Sequence, residues 1–261
     1  MKFLQSKRKR KNTIKLKERA APFALIALIL LLWQILSLSG FIPAFMLPSP
    51  VKVGRAFCSD FLLLMYHLKI TLAEAACGIF FSVAISFLFA VFMDRFRFVH
   101  RAVYPLLVIT QTIPTIALAP LLILWFGYGM QSKIILIVIS CFFPLTISLL
   151  TGFASVDKDA INLLRSLGAT KAQIMRHAKI PSSLPYFFSG LRISASYSII
   201  GAVISEWLGG TRGLGVYMTR VKKSYAYDKL FAVIFLISAL SLVLIKILSI
   251  VEKRMIKNEK K

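Results

Sequence analysis

The chain has 261 residues, of which 58% are hydrophobic and only 16% charged, with a mean hydropathy of +0.77 and a formal net charge of +23. One soluble core of this length cannot bury that much apolar side chain, so a soluble globular domain is excluded and lipid is implied. Cys58, Cys77 and Cys141 are scattered without a C-x-x-C, and His67, His100 and His177 stand apart as interfacial or loop residues, so neither a disulfide framework nor a metal site is suggested and no cofactor is expected.

The chain begins with a basic segment, residues 1–20, containing KRKRKNTIKLKER. Its cations read as signals for anionic lipid and topology rather than as a nucleic-acid arm. The apolar run that follows is too long for a signal-peptide core and lacks an A-x-A site, so it is expected to remain as a first span. Runs at 21–37, 70–93, 102–130, 134–153, 186–204 and 230–251 are long enough to cross a bilayer, which takes roughly 20 residues. None shows the short alternation of a barrel strand. The expected fold is therefore all-α, a polytopic membrane helical bundle of about six transmembrane helices over residues 21–251, with a basic tail at 252–261. Placing the N-terminus in the cytoplasm puts 22 of the 33 Lys and Arg residues on that side. The positive-inside rule then predicts both termini cytoplasmic, in the bacterial inner membrane.

After the first span, Pro43, Pro48 and Pro50 forbid a continuous helix and predict an extended turn before a short amphipathic segment on the outer surface. The second span carries Glu74 within a literal Glu74-Ala75-Ala76. The third holds Pro105, Pro114 and Pro120 with Gln111, Thr112 and Thr115 between them, the pattern of a kinked helix whose polar groups line a pathway or bond a neighbouring helix. In the fifth, Gly190, Ser194, Ser198, Ala202 and Ser205 recur three or four residues apart, so this helix packs closely and belongs at the centre of the bundle. It leads into GGTRGLG, read as a flexible external loop.

Charges inside spans are expensive, on the order of 2.5–3.5 kcal/mol at the bilayer centre. Glu74, Arg192 and Glu206 should therefore avoid lipid. Arg192 and Lys246 are expected to snorkel to the headgroups, whereas Glu206 beside Trp207 sits at the outer end as a gate or a structural partner. Gln111, Thr112, Ser194, Ser198 and Glu206 are the candidate pathway or gate residues.

The polar interruption at 155–185 carries five basic residues and two acids between long apolar runs. Asp157 and Asp159 suit a helix N-terminus, Ala160, Ile161, Leu163, Leu164 and Leu167 recur at helical spacing, and Gly168 breaks the run. A second amphipathic piece at 171–179 is closed by Pro181 and Pro185. The result is a helix, turn and helix along the inner face, with Leu164, Leu167 and Ala169 beside Arg165 offering apolar area and a charge to a partner.

At this loop the chain resembles permease subunits of ATP-binding-cassette importers, whose cytoplasmic coupling loop reads E-A-A, three residues, Gly, nine residues, I-x-L-P. Aligned on Gly168, Asn162-Leu163-Leu164 stands where that motif has Glu-Ala-Ala, and Ala178-Lys179-Ile180-Pro181 stands where it has I-x-L-P. Glu74-Ala75-Ala76 is a decoy inside a span. LPSPVKVGRAF, IPTIALAPLLILWFGYG and SEWLGGTRGLG extend the likeness to the nitrate, sulfonate and taurine permeases. Phe143-Pro144 with GAVISEWLGG is most similar to permeases for thiamine precursors of the hydroxymethylpyrimidine type. The resemblance implies a type I importer fold and a homodimer of permeases. Two ATPase subunits would grip Asp159, Asn162, Leu164, Arg165, Leu167, Gly168, Ala169 and Pro181, and an external solute-binding protein would deliver the solute.

No G-x-x-x-x-G-K-[ST] occurs, so energy must come from a separate ATPase. An intramembrane hydrolase would need H-E-x-x-H, G-x-S-x-G or paired intramembrane aspartates, none of which is present. An ion-driven transporter would show several intramembrane carboxylates, and only Glu74 lies well inside a span.

Overall fold

The computed structural model describes residues 21–43 and 45–259; the basic N-terminal segment lies outside them. The described residues contain helices and no strand, and they fall into two compact units.

The first unit takes in the described residues up to Phe61 together with Val221–Ala232. Helix α1 (Ala21–Leu38) is apolar along its length with no buried residue, so its burial must come from lipid or another chain. Ser37 Oγ donates to the Leu47 carbonyl at 2.8 Å across the proline-rich turn. Helix α2 (Pro50–Ser59) then starts on Ser49, whose side chain accepts from Lys52 N, with Pro50 at the first helical position where its missing N–H costs nothing. Lys229 reaches Asp60 at 2.8 Å and Trp33 lies 5.7 Å from Phe231, centroid to centroid.

The second unit, Leu62–Arg220 with Val233–Lys261, holds the bundle. Along the rest of the chain the elements are α3 (Phe61–Arg95), α4 (Arg97–Thr112), α5 (Thr115–Phe126), α6 (Met130–Ala154), α7 (Lys158–Ser166), α8 (Lys171–Ile174), α9 (Ile180–Gly209), α10 (Leu214–Lys223) and α11 (Tyr227–Glu259), the end of α10 and the start of α11 belonging to the first unit. Among the described residues five helices, α1 included, are long and apolar enough to cross a membrane. The expected third span is instead a broken pair, α4 and α5, bent by 102°. The break falls at Ile113, which a following proline pushes out of the helical region to φ −82°, ψ 120°. Pro105 and Pro120 lie inside α4 and α5 without ending them.

Helices α6 and α9 form the centre, and the small-residue face predicted for α9 accounts for it. Gly190, Ser194, Ser198, Ala202 and Ser205 are all buried. A Cβ at Gly190 would lie 2.5 Å from Ser148 Oγ, so the backbones touch where no side chain fits between them. Across this seam Cys141 Sγ donates to the Ser194 carbonyl at 3.3 Å. Helix α3 presents a similar stripe, Thr71, Ala75, Gly78, Ser82, Ser86 and Ala90, to the same core. Ile137, Leu145, Phe188 and Ile199 fill it.

Two expected snorkelling cations behave differently. Arg192 is paired with Glu252 rather than reaching for headgroups, while Lys246 is exposed. Lys133, expected in an outer loop, is buried in the first turn of α6.

Candidate functional site

At one end of the bundle the polar interruption forms a sharp elbow. Asp157 caps α7 by accepting from Asp159 N at 3.0 Å. Gly168, at φ +81°, ends it in a Schellman motif: Ala169 N donates to the Leu164 carbonyl and Gly168 N to the Arg165 carbonyl, both at 2.9 Å. One residue later Thr170 begins α8 with a capping box, its hydroxyl accepting from Gln173 N while Gln173 Oε1 accepts from Thr170 N. A stop signal and a start signal thus meet across three residues, which is why the chain reverses there.

None of α7 is buried, and Leu163 and Leu167 are 62% and 74% exposed. Asp159, Asn162 and Arg165 are exposed with them, whereas Leu164 and Ala169 are half-buried against the turn. Leu163 takes the exposed apolar place expected of Leu164, because the Schellman turn folds back over position 164. Pro181 and Pro185 do not close a second helix. Residues 171–209 run on as one 39-residue helix, with a π-helical turn at Met175–Lys179 just before Pro181. Pro181 stands two residues past the π-helical turn, where the backbone ladder is already irregular, and Pro185 is carried in the interior.

In the middle of the unit, the broken α4–α5 pair opens a cavity of about 330 Å³. Gln111, Thr112, Thr115, Ser140 and Tyr197 supply its polar groups, Ile113, Pro114, Leu118, Ile139 and Ile200 its apolar wall, and no charged side chain lines it. Gln111 and Thr112 both line this cavity. Ser194 and Ser198 do not line the cavity: both are fully buried. Tyr197 and Gly201 reach the cavity from α9 instead.

At the far end of α9, GGTRGLG is a packed turn rather than a loose loop, with Gly213, Leu214 and Gly215 all buried. Glu206 organises it. Its Oε1 accepts from Thr71 Oγ1 and its Oε2 from Gly215 N, each at 2.7 Å. Thr71 Oγ1 in turn accepts from Leu214 N at 2.9 Å, and His67 Nδ1 accepts from Gly213 N at 3.0 Å. Side chains of α3 and α9 thus satisfy the first N–H groups of α10, which its own backbone leaves unpaired, and they place a carboxylate at the positive end of its dipole. His67, expected to be a surface or loop residue, is buried here. Glu206 lies within electrostatic reach of Glu74, whose Oε1 binds Lys133 Nζ at 2.5 Å. The sequence carried one signal for this cap, glycines flanking a leucine seven residues after a glutamate.

An elbow with an uncovered apolar face, a cavity at a broken span and a capped far end define a membrane-embedded transport subunit. The chain belongs to the family described as "Binding-protein-dependent transport system inner membrane component", which it matches over residues 78–257. It is 38% identical to the formylaminopyrimidine transport permease protein ThiX of Halalkalibacterium halodurans, over 85% of this chain and 88% of that one. To the taurine transport system permease protein TauC of Escherichia coli it is 29% identical, over 84% and 82%. Among solved structures, inward facing conformations of the MetNI methionine ABC transporter share the fold, with a TM-score of 0.63 at 20% identity over 77% of this chain and 97% of that one.

Proposed function

We propose that the chain forms, as a homodimer, the translocation pathway of an ATP-driven importer for a small uncharged heteroaromatic solute of the pyrimidine type. The observation that carries the solute class is the cavity at the α4–α5 break, lined by amide, hydroxyl and apolar groups without a charge. Such a lining can satisfy a neutral polar ring, whereas a desolvated sulfonate or nitrate would meet no cation. The likeness to a formylaminopyrimidine permease supports the same class, and aliphatic sulfonate, taurine or nitrate transport is the alternative that other relatives suggest. Uptake into cells carrying the chain with its ATPase and binding protein should favour a labelled hydroxymethylpyrimidine over taurine. Gln111→Ala combined with Thr112→Ala should lower that uptake at least tenfold, about the loss expected for one or two hydrogen bonds. Taurine uptake with no pyrimidine uptake overturns the solute class.

In this reading α7 faces the cytoplasm and docks on the ATPase. Two ATPase subunits take Leu163 and Leu167 as apolar contacts, with Asp159, Asn162 and Arg165 fixing register, and an external binding protein delivers the solute at the Glu206 end. ATP binding moves the elbows and alternates access to the cavity. Valine at position 168 must either leave the left-handed region or pay about 1–2 kcal/mol to stay in it, and nothing lies within 4 Å of its Cβ to confuse that result. Gly168→Val is expected to abolish copurification of the ATPase and uptake while leaving the thermal unfolding of the permease within a few degrees of wild type. Unchanged ATPase association would remove α7 from the coupling role.

A further inference from the structure

Between α7 and the adjoining ends of α3 and α9 lies a second cavity, of about 700 Å³. Six cations line it, Arg95, Arg97, Arg165, Lys171, Arg176 and Lys179, against one acid. That acid, Asp94, is already held by Lys179 at 2.6 and 2.7 Å. The rest of the lining is apolar and continuous with the helix ends, including Val91, Ile161, Ile174 and Ile180. Met175, Arg176 and Lys179 reach it from the π-helical turn, an irregularity that in helices tends to mark functional positions.

We propose that this cavity binds the phosphate headgroup of an anionic phospholipid of the inner leaflet. The excess of positive charge demands an anion, and the apolar floor demands that the anion carry an apolar body. At the level where a spanning helix ends, the molecule that combines the two is an anionic phospholipid. The site adjoins the ATPase contact and shares Arg165 with it: Ile161 and Arg165 line this cavity, whereas Leu164, Leu167 and Gly168 line a neighbouring hollow that meets it at Ile174. A bound headgroup would brace α7 against α3 and α9 and hold the elbow at a fixed height above the bilayer. The inference rests on the orientation proposed above, with α7 in the cytoplasm.

The test is lipid titration of the purified full chain in detergent, read by native mass spectrometry, with phosphatidylglycerol, phosphatidylcholine and glycerol 3-phosphate as probes. Wild type is expected to retain one phosphatidylglycerol per chain. Arg97→Gln with Arg176→Gln should weaken it about twenty-fivefold, from about fivefold per basic group near a membrane surface. Lys52→Gln with Arg55→Gln, the same change of charge on the exposed face of α2, should leave it unaltered. Equal binding of phosphatidylcholine, equal weakening by both pairs, or displacement by an equal concentration of glycerol 3-phosphate each overturns the proposal. Thermal unfolding of both pairs shows whether they fold. Orientation is read separately, by labelling the exposed Cys58 on α2 from outside intact cells, so a failed topology and a failed lipid site are told apart.

Discussion

Lys133→Met is expected to destabilise the protein by about 3–5 kcal/mol, the range for removing one partner of a buried ion pair. Both partners are nearly sealed, with side chains 9% and 5% exposed. Without the ammonium, Glu74 keeps a carboxylate whose Oε2 already lacks a hydrogen bond, within electrostatic reach of a second carboxylate, Glu206. The loss therefore comes from the group left behind more than from the contact removed. It follows that Lys133→Met combined with Glu74→Gln should recover much of the stability, because the uncompensated charge is gone. Denaturant unfolding in detergent across the four proteins of this cycle measures the coupling directly. Equal stability of Lys133→Met and wild type would mean that the pair holds nothing in place.

Gly213→Ala is expected to be about as damaging, because two penalties fall on one atom. The residue sits at φ +116°, and an added Cβ would run into the Glu206 carboxyl. Strain of about 1–3 kcal/mol adds to the loss of buried hydrogen bonds worth about 1–3 kcal/mol, and Thr71, Glu206 and the α10 N-terminus all lose partners together. Uptake should vanish while the ATPase still copurifies, since the elbow is untouched. Gly40→Ala provides the control, with φ +73° and nothing within 4 Å of the added atom, so it reports strain alone. Similar behaviour of the two variants would show that the Glu206 cap does not matter for transport.

Both predictions concern groups whose roles are invisible along a one-dimensional chain. Lys133 follows a glycine-rich turn and opens an apolar run, so position alone puts it outside the membrane; its partner is 59 residues away. The GGTRGLG stretch has the composition of a mobile loop, and only Glu206 folding back onto it makes the glycines necessary. Local chemistry was far more legible. The acids at 157 and 159, the helical recurrence of leucine and the glycine at 168 define α7 and its stop, since caps depend on neighbouring residues alone. The small-residue face of α9 could be read for the same reason. Prolines were harder, because Pro105, Pro114, Pro120, Pro144, Pro181 and Pro185 all lie in apolar or helical stretches and just one breaks its helix outright. Whether a proline kinks, breaks or passes unnoticed depends on what neighbouring helices and π-turns do with the freed carbonyl.

The helix from Lys171 to Gly209, continuous through its π-helical turn, has a mechanical meaning. At 1.5 Å per residue its 39 residues extend about 58 Å, with the elbow at one end and Glu206 three residues from the other. It carries α7 beside its near end. A tilt of about 10° about one end swings the other by about 10 Å over that length, so a small rotation at the elbow would be amplified near Glu206.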